Sequence, residues 1–261
     1  MRKHRAGFTL VEVSLFLAIT ALLFMSVTVG VQNSIYQQRY NEAVQSFADF
    51  LGNTYSEVMN VQSSGYGRTK KAIYGKLVVF PDNSAGEGEG EEDDGQVIYV
   101  YDVVGDAGDD KKLANAGTKE LLAEVGADIV MEDEDGFVPV GVTDEYRPRW
   151  GSRIQKKDSF EDYSGSLLIV RNPKSGTVQT YVSATPITID ADGNTSAVFK
   201  DVLNSDFAFG EVDFCVNPDG VMASDRRADV RLMNEARNRS GVEIMPLDDP
   251  VKNVCNMVEK E

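Results

Sequence analysis

An apolar run near the N-terminus, interrupted by a single acid, constrains this chain more than any other feature. Between Phe8 and Val31 the sequence contains no Lys, Arg or Asp, and Glu12 is the only charged residue. At about 1.5 Å per residue, a helix of this length exceeds the roughly 30 Å hydrocarbon core of a bilayer. A carboxylate placed there costs about 3 kcal/mol on insertion scales, so we expect Glu12 to have a function.

The charges that flank the run predict its orientation. Arg2, Lys3 and Arg5 precede it, whereas no basic residue follows it until Arg39. An excess of Lys and Arg marks the cytoplasmic end of a membrane helix. We therefore expect one membrane-spanning helix, with everything beyond it outside the cytoplasm.

The run differs from an ordinary secretory signal peptide. Such a signal has an apolar core of about 7 to 15 residues and a small-residue cleavage site after that core. Here the core is longer, no A-x-A pattern follows it, and the small residues Ala6 and Gly7 precede it. Cleavage after Gly7 would leave the hydrophobic helix in the mature protein.

The segment RAGFTLVEVSLFLAIT resembles the N-terminus of type IV prepilins and type II secretion pseudopilins. The resemblance implies that a membrane-embedded prepilin peptidase cuts after Gly7 and N-methylates Phe8. Glu12 then matches the family's glutamate at the fifth mature position. The implied organisation is a cleaved leader (1–7), a transmembrane and amphipathic helix (8–62) and a β-rich extracytoplasmic head (63–261). An uncleaved signal anchor with a tolerated acid is the alternative.

Cleavage would also give Glu12 a partner. The new ammonium on Phe8 can approach Glu12 of a neighbouring subunit in a filament. Two unit charges 4 Å apart attract by about 4 kcal/mol at an effective dielectric near 20. This attraction is comparable with the cost of inserting the acid, so Glu12 is predicted to fix the register of assembly.

The composition argues against an enzyme. The formal net charge is −16, and loss of Arg2, Lys3 and Arg5 with the leader makes it three units more negative. This favours solubility and disfavours a general affinity for nucleic acid. The only histidine, His4, lies in the leader, which removes Ser-His and Cys-His pairs and His-ligated zinc. Acidic residues are so abundant that no catalytic pair stands out, and we expect neither cofactor nor metal.

Two cysteines, Cys215 and Cys255, lie in the C-terminal part. In an exported segment they are expected to be oxidised. The resemblance agrees, since pilins often carry a C-terminal disulfide. A bond closing this loop would stabilise the fold by about 4 kcal/mol in the chain-entropy model. Two reduced, buried cysteines are the alternative.

Apolar periodicity predicts the remaining elements. One apolar stripe at steps of three and four continues the helix to about Val61, with Gly65 and Gly67 as a stop; its members are Tyr36, Tyr40, Val44, Phe47, Leu51, Tyr55 and Val58. Strands are predicted at 72–80 and 96–104, as a hairpin over 165–189, and as three strands after residue 209, with a short helix at 118–126. The resulting class is α+β and pilin-like, with the helix packed on an antiparallel sheet. Residues 105–160 match no known pattern.

Three polar stretches were weighed as binding sites. The acidic linker at 81–95 and the sequence DADGNTSAVFKD at 190–201 are interpreted as a solvated loop and a turn rather than as cation sites. A basic aromatic stretch at 145–157 suggests a DNA or surface-ligand contact, and its patch is Arg147, Arg149, Trp150, Arg153, Lys156 and Lys157. The favoured alternative is a basic face that pairs with the protein's own acids.

These features predict a minor pilin, a structural and assembly subunit near the tip of a type IV pilus. The alternatives are a pseudopilin of a type II secretion system, and a binding or enzymatic domain that uses the helix as an anchor. The resemblance implies three partners: prepilin peptidase, other pilin subunits and an inner-membrane assembly platform. The subunit would sit in the cytoplasmic membrane by one helix and reach the cell surface on assembly.

Overall fold

The architecture is taken from a computed structural model of the chain. It describes residues 10–60, 71–82, 96–106, 118–127, 129–133, 136–139, 142–172, 175–187, 207–218, 227–237, 239–245 and 253–255. The segments predicted as an acidic loop (from residue 83 on) and as the turn at 190–201 lie outside these ranges.

A single long helix, α1, opens the described chain. It runs from Leu10 to Met59, 50 residues, and is therefore about 75 Å long. The predicted continuation of the apolar run into an amphipathic stripe is confirmed. The helix ends about two residues before the predicted position, and the Asn60 N–H donates to the Ser56 carbonyl at 3.2 Å. Gly65 and Gly67, the predicted stop, lie outside the described residues.

Short strands and one short helix follow α1. The bounds are β1 Lys71–Phe80, β2 Ile98–Asp106, α2 Thr118–Glu124, β3 Val130–Asp133, β4 Gly136–Pro139, β5 Val142–Tyr146, β6 Arg153–Gln155, β7 Gly165–Arg171, β8 Val178–Ser183, β9 Ala208–Phe209, β10 Val212–Asn217, β11 Ala228–Leu232, β12 Glu235–Ala236 and β13 Val242–Met245. Single 3-10 turns lie at Arg149–Gly151 and Arg239–Gly241.

The strands form two larger sheets and one hairpin in the part of the chain that is described. The first sheet has the order β12-β8-β7-β1-β2-β5, with β9 beside β8. The second has the order β13-β11-β10-β6, and β3 pairs with β4. Every strand pair is antiparallel. The predicted α+β class is thus confirmed.

The second half of α1 lies between the two sheets. Its apolar stripe packs in one cluster with side chains from both of them. Phe47 is fully buried, with its ring centroid 5.4 Å from that of Phe214 in the second sheet. Phe80 of the first sheet stacks on the same Phe214 ring at 5.2 Å. The predicted packing of the helix on one sheet therefore becomes packing between two.

The first sheet also buries its other face. Leu168 and Val170 of β7 point away from α1 and pack with Leu121 and Leu122 of α2. Because both faces are covered, β7 reads as the near-continuous apolar run GSLLIVR rather than as an alternating pattern. The predicted hairpins of β1 with β2 and of β7 with β8 are confirmed, as are the three C-terminal strands β10, β11 and β13.

The short helix predicted at 118–126 is confirmed as α2. The rest of residues 105–160, for which the sequence offered no pattern, adds edges to both sheets. It supplies the β3-β4 hairpin, β5 on one edge of the first sheet and β6 on one edge of the second. Between β5 and β6 the chain makes the 3-10 turn at Arg149–Gly151 beside α1. This middle region therefore links the two sheets next to the helix.

Candidate functional sites on the helix and the head

The first half of α1 stands clear of the head with its apolar side chains exposed. They include Leu15, Phe16, Leu22, Phe24, Met25, Val31 and Ile35. The helix is long and apolar enough to cross a membrane, and the apolar window that meets this criterion has no buried residue. A water-exposed apolar surface of this extent requires a lipid or protein surface to cover it.

Hydroxyl side chains in this half bond back to the helix itself. Thr20 Oγ1 donates to the Phe16 carbonyl at 2.9 Å, and Thr28 Oγ1 donates to the Phe24 carbonyl at 2.8 Å. Ser14 and Ser26 make the equivalent bond to the carbonyl three residues earlier. Because these polar groups are satisfied within the helix, they do not oppose an apolar environment.

Glu12 lies in the first turn of α1. An acid at this position interacts favourably with the positive N-terminal end of the helix dipole, by about 0.3 to 1 kcal/mol at an exposed site. Gly7 and Phe8, the predicted cleavage site and methylated residue, lie outside the described residues. The predicted pairing of Glu12 with a Phe8 amine thus stays a prediction.

Tyr40 marks the point where α1 enters the head. Its side chain is buried, whereas Tyr36 one turn earlier is exposed. The Tyr40 hydroxyl donates to the Val216 carbonyl at 2.8 Å and accepts the Ala228 N–H at 2.6 Å. Burial raises the pKa of Tyr40 to about 12. One helical side chain thereby satisfies backbone groups on two strands of the second sheet.

The far end of the helix is fixed by a second set of polar contacts. The Tyr55 hydroxyl donates to the Met233 carbonyl at 3.0 Å and bonds the Thr180 hydroxyl. Lys76 Nζ on β1 lies 2.9 Å from Glu57 Oε2 on the helix and 2.8 Å from Asp102 Oδ1 on β2. Burial opposes the charge on Lys76, but the two carboxylates outweigh it and raise its pKa. Both ends of the buried half are therefore held by directional bonds.

Cys215 and Cys255 form a disulfide, as predicted. The sulfur atoms are 1.98 Å apart, the Cα atoms are 5.4 Å apart, and both residues are fully buried. Cys215 lies on β10, in the middle of the second sheet. The bond therefore ties residues near the C-terminus directly to the core sheet.

Arg227 is a buried cation that sequence reasoning missed. It is 1% exposed, and its guanidinium donates to the carbonyls of Cys255 at 3.1 Å, Lys156 at 3.1 Å and Ser159 at 2.6 Å. The guanidinium also stacks over the Phe160 ring at 4.5 Å. Burial lowers its pKa. Arg227 thereby joins the disulfide region to the loop after β6.

Asp229 is a fully buried carboxylate beside the disulfide. Its Oδ2 accepts the Val254 N–H at 3.3 Å and lies 3.9 Å from Arg231 Nη2, while its Oδ1 has no hydrogen-bond partner among the described residues. Burial, reinforced by the nearby Asp213 carboxylate, raises the pKa of Asp229 to about 6. No sequence signal distinguished Asp229 from the many other acids.

Most cations of the predicted basic patch lie next to acids from the same stretch of chain. Arg147 pairs with Glu145 at 2.7 Å. Arg153 Nη1 lies 3.4 Å from Asp162, and Lys156 Nζ lies 3.1 Å from Glu161. The remaining two, Arg149 and Lys157, are exposed. The acids are local and do not belong to the long acidic linker. A nucleic-acid or surface-ligand contact stays untested.

Trp150 of that patch has an unusual backbone conformation. Its φ of 61° and ψ of 28° lie in the left-handed region, which costs a bulky residue on the order of 1 to 3 kcal/mol. The indole is nevertheless about half exposed, and the Arg39 guanidinium lies 4.8 Å from its ring centroid. The strained turn thus presents Trp150 beside α1 just where the helix leaves the head.

An open groove of about 610 Å³ separates α1 from the edge strand β5. Its lining carries the acids Glu42, Asp49, Asp144 and Glu145 together with the cations Arg147 and Arg149. Among the described residues, no cluster of three or more His, Cys, Asp or Glu side chains is arranged to hold a metal ion. The groove is thus lined by charges of both signs and has no defined ligand site among the described residues.

Comparisons with known proteins add no assignment. No family model matches the chain, and neither a curated protein nor a solved structure matches it significantly.

Proposed function

We propose that this protein is a minor pilin of a type IV pilus, a structural subunit that enters a filament through its N-terminal helix. The observation that carries the proposal is the division of α1. One 50-residue helix exposes an apolar first half and buries an amphipathic second half in the head. A subunit built in this way can be held in a membrane and then transferred, by the same helix, into the core of a fibre.

The N-terminal residues support this assignment over a simple anchor. A plain anchor has no use for an acid in its apolar run, whereas Glu12 in the first turn can bind the amine created by cleavage after Gly7. The positive end of the helix dipole and that ammonium both attract the Glu12 carboxylate. In a fibre, the pair would form between Glu12 of one subunit and Phe8 of its neighbour.

The size of the head supports a minor subunit. Two sheets and a second small core around α2 make a bulky head around one helix. The sequence after β1 is also strongly acidic. A bulky, negatively charged head packs poorly against identical heads along a fibre, because like charges repel. A position at or near the tip, where neighbours lie on one side only, suits such a subunit.

Removal of the Glu12 carboxylate tests this function. Glu12→Val should be inserted and cleaved normally, yet its amount in sheared fibres relative to the membrane should fall by about ten-fold or more, because a buried ammonium loses its partner. Glu42→Val, an exposed acid on the same helix within the head, is the matched control and should assemble like the wild type.

Three outcomes would contradict the proposal. Equal incorporation of Glu12→Val and wild type would remove the role of Glu12 in assembly. A Met1 terminus in assembled material, instead of a methylated Phe8 detected by mass spectrometry, would remove the assignment to prepilins. A processed subunit that remains in the cell envelope and never enters surface fibres would favour a secretion pseudopilin instead.

A further inference from the structure

The face of the second sheet that points away from α1 is polar in sequence but buried in the structure. On β10 and β11, Phe214 and Val230 pack in the same cluster as α1, so the residues that alternate with them point to the opposite face. Those residues are Asp213, Cys215, Asn217, Arg227, Asp229 and Arg231. A face of this composition is typically solvated. Cys215, Arg227 and Asp229 are nevertheless at most 1% exposed, so another part of the chain covers them.

Residues 253–255, which we call the covering segment, lie over this face. Cys255 is joined to Cys215 by the disulfide, and its carbonyl accepts a hydrogen bond from the Arg227 guanidinium at 3.1 Å. The Val254 N–H donates to Asp229 Oδ2 at 3.3 Å. The segment therefore covers the two buried charges of β11 and its N-terminal flank with backbone groups of opposite polarity.

Asn253 adds two contacts that do not involve sulfur. Its side chain is 1% exposed, donates from Nδ2 to the Arg227 carbonyl at 3.1 Å, and accepts the Cys255 N–H on Oδ1 at 3.0 Å. Buried polar groups are costly when they lose their partners. The hydrogen bonds of Arg227, Asp229 and Asn253 therefore favour one docked position of the segment, and this position places Cys255 on Cys215.

We infer that the covering segment docks on the second sheet even without the disulfide, through Arg227, Asp229 and Asn253, and that a proton on Asp229 strengthens this docking. The disulfide then makes a pre-existing contact permanent. It forms by thiol–disulfide exchange: one cysteine thiolate attacks an oxidised disulfide donor outside the cytoplasm, and the second attacks the mixed disulfide and releases the donor as two thiols. Docking raises the effective concentration of one cysteine at the other.

The surroundings of Asp229 make docking sensitive to pH. Its Oδ1 has no hydrogen-bond partner among the described residues. Arg231 bonds Asp213 at 2.6 Å and lies 3.9 Å from Asp229, and the other nearby cation is Lys157. On β13 the residue opposite is the uncharged Met245. An ionised Asp229 is thus poorly compensated under the segment, and burial, reinforced by Asp213, raises its pKa to about 6.

The sign of the pH effect follows from the two positions of the segment. When the segment is away, Asp229 is solvated and has its ordinary pKa near 4. The docked state therefore binds a proton that the undocked state has released, and docking weakens as pH rises through about 6. Between pH 5 and pH 7 the docking equilibrium constant should fall by about ten-fold.

Docking is tested in the full-length protein in detergent micelles, with Cys215 and Cys255 both replaced by Ala. Hydrogen exchange of the residue 254 amide is followed by NMR and compared with the exchange rate of an unstructured peptide at the same pH. We expect protection at pH 5 without the disulfide and about ten-fold less protection at pH 7. Addition of Asp229→Asn should remove this pH dependence, because the variant has no carboxyl group there.

A second measurement keeps the cysteines and does not require the bond-free head to fold. The effective concentration of the two thiols is obtained from the equilibrium with reduced and oxidised glutathione. Asn253→Ala should lower it by about ten-fold. Asn172→Ala is the matched control, because the Asn172 side chain also makes two hydrogen bonds, to Thr118 and Ser175, but far from the covering segment; it should leave the effective concentration unchanged.

Three results would overturn the inference. In the bond-free protein, the residue 254 amide could exchange as in an unstructured peptide while the strands of the second sheet stay protected. Its protection could be equal at pH 5 and pH 7, or keep the same pH dependence with Asp229→Asn. Asn253→Ala and Asn172→Ala could lower the effective concentration equally, which would indicate a general loss of stability. None of these results bears on the role of Glu12 in assembly, because the covering segment lies on the face away from α1.

Discussion

The two halves of α1 differ in which side chains they expose and what those side chains contact, although they form one helix. In the first half, large apolar side chains are exposed on every side, and the hydroxyls bond back to helix carbonyls. In the second half, apolar side chains keep to one stripe, and polar side chains on it reach out to strands of the head. The first half suits an apolar environment on all sides, such as lipid or other helices. The second half suits packing against the two sheets of its own head.

The difference shows that continuous helical structure does not imply a continuous environment. Backbone hydrogen bonds are the same on both sides of Tyr40, but the side chains change from uniformly apolar to amphipathic within about one turn. The stability of the head should therefore depend on the second half alone. Paired substitutions, one in each half, test this conclusion.

The largest contrast is expected between two phenylalanines. Phe47 is fully buried among Phe50, Tyr146 and Phe214, so Phe47→Ala should lower the free energy of unfolding of the head by about 3 to 5 kcal/mol. Phe16 is 66% exposed on the other half, and Phe16→Ala should leave the free energy of unfolding of the head unchanged. Denaturant unfolding followed by Trp150 fluorescence measures both. A similar loss in the two variants would show that the halves are energetically coupled.

The disulfide should have the next largest effect, and only on the head. It joins residues 40 positions apart, and replacing both Cys215 and Cys255 with Ser should lower the free energy of unfolding by about 4 kcal/mol in the chain-entropy model. Helix content of the apolar half in micelles should not change. Peptide mapping without reductant should recover the linked pair from wild-type protein, and free thiols on both cysteines would contradict the structure.

A smaller effect is expected at the boundary itself. Tyr40→Phe leaves the buried Ala228 N–H and Val216 carbonyl without their partner, which should cost about 2 to 3 kcal/mol. Tyr36→Phe, one turn earlier on the same stripe, removes a hydroxyl that is exposed, and should cost nothing. Thermal unfolding in mild detergent tests the pair. Equal melting temperatures for the two variants would move the boundary away from Tyr40.

The smallest effect is a pH dependence from Asp229. Burial raises its pKa to about 6 in the folded head, so the folded state binds a proton that the unfolded chain releases above its ordinary pKa near 4. The resulting stabilisation is complete below the unfolded pKa and is lost as pH rises through about 6. The free energy of unfolding should therefore rise by about 1 kcal/mol from pH 7 to pH 5.

Asp229→Asn isolates this contribution from that of other acids. Asp213, Arg231 and Lys157, the charged groups that influence Asp229, remain in place in the variant. Its pH profile should lack the rise seen in the wild type, and at pH 7 it should be the more stable protein. Parallel profiles for the two proteins would mean that Asp229 stays ionised in the fold.

Periodicity in the sequence was enough to predict α1, the two hairpins of the first sheet and the C-terminal strands. It was not enough to predict that α1 lies between two sheets, because the stripe around Phe47 and Leu51 reads the same whether one or two layers cover it. The roles of Arg227 and Asp229 were also missed. Their contacts are to Cys255, Ser159 and Val254, which are distant in sequence, and no local pattern encodes them.

The candidate site residues also include some that the sequence predicted and some whose contacts it could not predict. The cysteine pair was predictable because a chain with two cysteines has only one possible intramolecular disulfide. The basic patch was found by residue type, but its ion pairs with Glu145, Glu161 and Asp162 depend on how β5, β6 and the following loop fold. Neither β5 nor β6 has an alternating apolar pattern, because β5 is exposed on an edge and β6 is only three residues long.

The packing of one helix between two sheets also determines how the head would resist a force applied along α1. Between Tyr40 and Val58 the buried stripe extends for about 27 Å along the helix axis, with the Tyr40 hydroxyl bonds at one end and the Lys76–Glu57 ion pair near the other. A pull on the apolar half loads these contacts in shear, all at the same moment, instead of peeling them apart in sequence. The head should therefore hold its helix up to one high force and then release it in a single step.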